Sequence, residues 1–384
     1  MNRIGFVGSV ALGVIMTTAA ADAQDGSFAP TRRAGRFVYA SSVRGSEAKG
    51  DIKAQTKRAL ENLDARLKAD GSSLASAASI NVFLKNASDF AAMNEVYRGF
   101  FTKDPPVRTT IVSSSADPDA LIEIAAVGIP SGGERKVIHP PGWIQSPNPY
   151  SYGILSGDTL FLSGLISRNG KDNSVVTGDV KAQTKTALDN GGEILKAAGM
   201  SHADVVQSRV YITDTALFQD FNESYRTFFP KEKPVRATVK SGLMGPQYLV
   251  EITMVAVKGS REAITPPNAD GTPGAPNPNL SAAVRMGDRL WLAGMLGNTK
   301  ATENDVAAQT KETLARLGRT LKAAGFGWEQ VRESVVYVSD LKHRAAVLKE
   351  WAAQFPKQKP AGVLVEAPLV APDGLVEIML SAAK

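Results

Sequence analysis

Residues 222–239 read NESYRTFFPKEKPVRATV, and the chain writes this stretch three times. An earlier copy, NEVYRGFFTKDPPVRTTI, runs from Asn94 to Ile111. A worn copy, LKEWAAQFPKQKPAGVLV, runs from Leu348 to Val365. The copies begin at residues 94, 222 and 348, so the period is 128 and then 126 residues. That spacing is too long for a solenoid repeat and is the size of a small domain.

The surroundings repeat as well. Upstream of each copy a helix opens on an aspartate, Asp51, Asp179 or Asp305. Ile52, Thr56, Leu60, Leu63 and Leu67 recur at helical spacing, as do Val306, Thr310, Leu314, Leu317 and Leu321, which predicts one buried stripe. Gly71 and Gly199 stand where left-handed caps end two of these helices. Downstream, Leu121–Val127, Leu249–Val257 and Leu375–Leu380 read as matching strands. Each unit therefore reads β-β-α-β-α-β-β, an α+β pattern of one sheet with two helices on one face. The units span 36–130, 148–259 and 277–384. Pro- and Gly-rich linkers (131–147 and 260–276) separate them, and Gln24–Gly35 reads as a loose polar lead-in.

Composition excludes several chemistries. None of the 384 residues is cysteine, so disulfides, thiolate metal sites and a cysteine nucleophile are ruled out. His139, His202 and His343 lie far apart without metal-ligand spacing, so neither a metal nor another cofactor is expected. The net charge of +6 is spread among acids along the helices and forms no basic aromatic stripe, which argues against a nucleic-acid partner. Arg3, the apolar run Ile4–Met16 and Ala21-Asp22-Ala23 form a signal-peptide pattern over residues 1–23. The expected product is a periplasmic or secreted protein, cleaved near Ala23 and free of the membrane.

Taken in order, Tyr150 in NPYSYG, LFLSG ending at Ser163-Gly164, FNESYRTFF, PVRAT and LVEITMVAV have the order and spacing of the RidA/YjgF family, also called the endoribonuclease L-PSP family. The second unit resembles it most fully and the third is degenerate. The resemblance implies a chorismate-mutase-like fold and homotrimers with a ligand cleft between neighbouring subunits. Three tandem copies then imply a pseudo-trimer within one chain, monomeric in solution because a closed ring satisfies every interface. In the deaminase branch of the family, an arginine binds the carboxylate of a 2-imino or 2-enamino acid and a glutamate positions or activates water. Carried over, the second unit supplies Arg236, Glu251, Asn222, Ser163, Tyr150 and Thr238, the last at the family's frequent cysteine position. The first supplies Arg108, Glu123, Asn94, Ser41 and Thr110, and lacks the opening tyrosine. In the third only Glu377 persists. Gly362, Leu348 and Ala293 replace the arginine, asparagine and serine, and Asn279 falls at the tyrosine.

Bland readings compete at each position. Arg236 and Arg108 suit a carboxylate in two-point contact, or else a structural bridge to a neighbouring acid such as Glu251. Glu251 and Glu123 are catalytic candidates, because a carboxyl in an apolar strand has its pKa raised towards a useful base. Glu377 persists beside Gly362, which argues that the glutamate needs no arginine and serves structure. Asn222 and Asn94 bond either a substrate or a loop. Tyr150 faces a ligand or the core. Ser163 and Ser41 suit tight strand packing. With two adjacent units per cleft, only the one between the first and second has both walls complete. Three functions stay open: hydrolytic deamination of a small imino or enamino acid, a non-catalytic binding module for small carboxylates, and RNA cleavage, which export and the charge pattern disfavour.

Overall fold

A computed structural model describes residues 26–231 and 233–384. The signal-peptide pattern falls outside these residues. The first unit contains β1 (Thr31–Ala34), β2 (Phe37–Arg44), α1 (Ile52–Ala69), β3 (Ala77–Leu84), α2 (Phe90–Phe100), β4 (Val107–Val112) and β5 (Ile122–Gly128). The second contains β6 (Lys136–Ile138), β7 (Gly153–Ser156), β8 (Thr159–Leu162), α3 (Val180–Ala197), β9 (Val205–Ile212), α4 (Phe218–Phe228), β10 (Val235–Lys240) and β11 (Val250–Val257). The third contains β12 (Glu262–Ile264), β13 (Ala283–Met286), β14 (Arg289–Leu296), α5 (Val306–Ala323), β15 (Val331–Val338), α6 (Arg344–Gln354), β16 (Ala361–Glu366) and β17 (Val376–Ala383).

Each unit is one mixed sheet, ordered β1-β2-β5-β3-β4, β10-β9-β11-β8-β7-β6 and β12-β13-β14-β17-β15-β16. The parallel pairs β3–β4, β9–β10 and β15–β16 bracket the three short helices, and this connection makes β4, β10 and β16 edge strands. The long helices start where Asp51, Asp179 and Asp305 accept the N–H of the third residue on. That capping satisfies a donor the helix itself leaves free. The α1 stripe is buried throughout. Full burial of Leu60, Leu63 and Leu67 contributes about 1.5–3 kcal/mol each.

Strand alternation assigns the two faces. One face of each sheet packs on its own helices and makes a private core. The other faces of all three sheets share one core, with Phe37 and Val107, Phe161 and Tyr211, and Trp291 and Tyr337 from successive units. Three α+β domains thus close around a pseudo-threefold axis. An equivalent hydrogen bond joins each boundary: Ser151 N–H to Pro106 O (3.2 Å), Ser281 N–H to Pro234 O (3.1 Å) and Ala29 N–H to Pro360 O (2.9 Å).

Three expectations change. Residues 26–35 are not loose: Phe28 is buried, and β1 pairs antiparallel with β2. A four-residue edge strand reading TRRA is bonded on one side only and carries no alternating apolar signal, so its sequence looks like coil. The boundary bonds also align Phe28 and Leu280 with Tyr150. The tyrosine position in the third unit is therefore Leu280 rather than Asn279, because the preceding loop is one residue longer there. The linkers are not wholly irregular either, since β6 and β12 extend the second and third sheets.

Candidate functional site

Each boundary joins the β4-type edge strand of one unit to the β8-type strand of the next. The arginine of one unit therefore meets the glutamate of the next, not its own. Arg108 lies with Tyr150, Gly164 and Glu251 in a cleft of about 70 Å³ between units one and two. Gly164 N–H donates to Arg108 O at 3.0 Å and sets that register. Arg236 of unit two feels Glu377 of unit three. At the last boundary Gly362 N–H donates to Ser41 Oγ (2.8 Å), so Glu123, beside Ser42, has glycine where the others have a guanidinium. The persistence of Glu377 beside Gly362 in sequence thus carried no information about its partner.

The first cleft is the open one. Arg108 is only 5% exposed. It packs its guanidinium over Tyr97, 4.7 Å from the ring centre, with Phe90 at 5.5 Å and Tyr150 at 6.0 Å. Its nearest polar partner is Met93 Sδ at 3.9 Å, and it donates to no oxygen among the described residues. Asn94 does not occupy it; its Nδ2 donates instead to Asn148 Oδ1 at 3.3 Å. Burial lowers the Arg108 pKa, partly offset by Tyr97, Tyr150 and Glu251. A buried guanidinium without an acceptor costs free energy until an anion supplies one.

Glu251 faces it. Burial pushes its carboxyl up to about 8, against the pull of the Thr110 main-chain N–H and the Arg108 charge. The carboxyl fits because residue 164 is glycine: a Cβ there would stand 1.8 Å from Oε1. Ser163 lies in an adjoining hollow with Tyr150 and Trp143. Arg168, unnoticed in the sequence, lines the Arg108 cleft together with Tyr248. Its signal was present, since the positions matching Arg168 in the other units are Ser46 and Asn298.

The second boundary is closed over its arginine. Arg236 is 2% exposed and donates to Asn222 Oδ1 at 2.6 Å, while Nε and Nη1 have no partner. Thr238 Oγ1 and Glu377 Oε2 are also buried without partners, and burial pushes Glu377 up to about 8. Thr238 and Asn222 therefore belong with Arg236 and Glu377, apart from Glu251.

The third boundary is filled. A Cβ on Gly362 would sit 2.7 Å from the Phe28 ring. Phe28 packs 5.5 Å from Trp351, whose Nε1 donates to Ser27 O at 3.0 Å. Trp351 stands where Tyr97 and Tyr225 hold the arginines in the other units. Ser42 replaces Gly164 and donates to Glu123 Oε1 at 2.5 Å, and Ser115 donates to Oε2 at 3.0 Å. Glu123 is thereby tied up in hydrogen bonds at a boundary without a guanidinium. Ser41 spends its hydroxyl on Ala29 O and the Gly362 N–H.

The model of the endoribonuclease L-PSP family matches residues 18–129, 143–258 and 272–384. The chain belongs to this family, the RidA/YjgF proteins, and contains its domain three times. A RutC family protein of Sulfurisphaera tokodaii is 41% identical over 111 residues, 29% of this chain and 89% of the relative. Another from Pyrococcus horikoshii is 39% identical over 110 residues, again 29% of this chain and 87% of the relative. Among solved structures, a chorismatase aligns over 80% of this chain and 93% of its own, with a TM-score of 0.54 and 15% identity. That likeness is one of fold, and it extends beyond a single unit.

Proposed function

We propose that the cleft between the first two units hydrolyses a small 2-imino or 2-enamino acid to a 2-keto acid and ammonia. The observation that carries this reading is a buried Arg108 that donates to no oxygen among the described residues, facing across the boundary a carboxyl that burial pushes up to about 8. Arg108 holds the substrate carboxylate. Protonated Glu251 gives its proton to the imine nitrogen, and the resulting iminium draws water onto C2. The carboxylate takes a proton from that water as the C–O bond forms. Returned to nitrogen, this proton lets the carbinolamine collapse: the C–N bond breaks to release ammonia, and the hydroxyl proton passes to the Glu251 carboxylate as C=O forms, which restores the starting acid. A pKa near the working pH suits a group that must both give and accept a proton.

The test generates the imino acid in situ with an amino-acid oxidase and follows ammonia and keto acid. Arg108→Ala should lower kcat/KM by at least about 100-fold, in the range for a buried charge contact, whereas Arg236→Ala leaves most of the activity. No acceleration by the unmodified protein, with small carboxylates still bound, would favour a non-catalytic binding module. The pattern in residues 1–23 supports export, which N-terminal sequencing of the mature protein checks: Gln24 should be the first residue. Light scattering should give the mass of one chain.

A further inference from the structure

We infer that the substrate of this cleft carries a second anionic group, so that it is the imine or enamine of a small dicarboxylic acid, with its distal carboxylate held by Arg168. The inference rests on the deaminase reading for the reaction but not for the binding. Arg168 and Arg108 line the same cleft, and neither forms an ion pair with an acid among the described residues. Glu251 is the acid among the cleft-lining residues, and burial favours its neutral form. A monocarboxylate would therefore leave one guanidinium unmatched, whereas a dianion matches both.

Arg168 is also held in place before any ligand arrives. Its Nη1 donates to Asn173 O at 3.0 Å, and its own carbonyl accepts from Asn190 Nδ2 at 2.6 Å. A bridge to Val175 pins its backbone, and its guanidinium stands 5.4 Å from the centre of the Tyr248 ring. Fixing a long cation in advance removes much of the ordering cost of a charge contact. Tyr150 lines the same cleft and feels the charge of both cations. The pair Arg168 and Tyr248 occurs only here: Ser46 and Ala120, and Asn298 and Gly374, stand at the matching positions of the other units. The second cation thus accompanies the one arginine whose asparagine has turned away from it.

The experiment compares imines made in situ from alanine and from glutamate, each with its own oxidase, using the full chain, Arg168→Gln and Arg168→Lys. Calorimetry with butyrate and glutarate runs alongside. The expected result is a kcat/KM at least about tenfold higher for the dicarboxylate imine, a size typical of one added charge-assisted contact. Arg168→Gln should abolish that preference, lowering kcat/KM for the dicarboxylate imine at least about tenfold more than for the alanine-derived one, and Arg168→Lys should keep part of it. A purely structural role would lower both substrates alike. That result, or equal rates on both imines, overturns the inference while leaving deamination in place. Arg168-dependent preference for glutarate without turnover of either imine would overturn the deaminase reading and support the dianion site. Equal or absent binding of butyrate and glutarate without turnover would overturn both.

Discussion

At the residue scale, Gly164 carries the tightest constraint in the cleft. It does not line a left-handed turn; its importance is that the Glu251 carboxyl occupies the space a methyl group would fill. Gly164→Ala should expel the carboxyl from its position opposite Arg108 and lower kcat/KM at least about tenfold, since small displacements of a catalytic group carry such costs. Steady-state assays with either imine check this, and unchanged activity would mean Glu251 is not the proton carrier. Unit one makes the contrast visible, because Ser42 at the same position bonds Glu123 rather than making room for a free carboxyl. The glutamates and arginines were legible in sequence because they interrupt apolar strands. Their pairing was not, because it crosses from one unit to the next. Nor could sequence tell Arg108 from Arg236: both follow Pro-Val and both have an asparagine fourteen residues earlier. What separates them is the direction of one amide, towards Asn148 in the first unit and towards the arginine in the second.

At the scale of elements, the long helices were readable from cap to stripe because local rules and burial agree. The segment 26–35 was not, because its order comes from a distant part of the chain. Phe28 is buried against Trp351 at the far boundary, and Arg32 Nε donates to Lys359 O at 2.6 Å. Phe28→Ala should cost about 3–5 kcal/mol, the range for removing a buried aromatic, measured as a lower urea midpoint with an unchanged slope. Deamination in the distant first cleft should persist below the transition. A loss under about 1 kcal/mol would show that the ring contributes little to closing the third boundary.

For the whole molecule, three copies let each boundary diverge while the ring stays intact. One boundary has an open cleft, one encloses its arginine, and one is filled by the chain's own lead-in. The buried acids should make stability depend on pH. Burial raises both Glu251 and Glu377 to about 8 from an ordinary 4.5. Between those values the folded protein holds protons that the unfolded chain releases, so stability should fall as pH rises from about 5 to 8. Glu377→Gln removes one of the two groups. The variant should show a flatter Tm-against-pH curve and a higher Tm than the parent at pH 8. An unchanged slope would place Glu377 in its ordinary range.

The Phe28 segment has one more consequence, which concerns topology. Two boundaries are spanned by linkers of the chain, whereas among the described residues the third, between β16 and β2, is held by non-covalent contacts. Were it to come apart, each molecule would present the β16 edge at one end and the complementary β2 wall at the other. Such head-to-tail surfaces propagate without limit once they no longer close on themselves. A chain stripped of Phe28 would then be a monomer for linear polymers, and turbidity rising with protein concentration would be its mark.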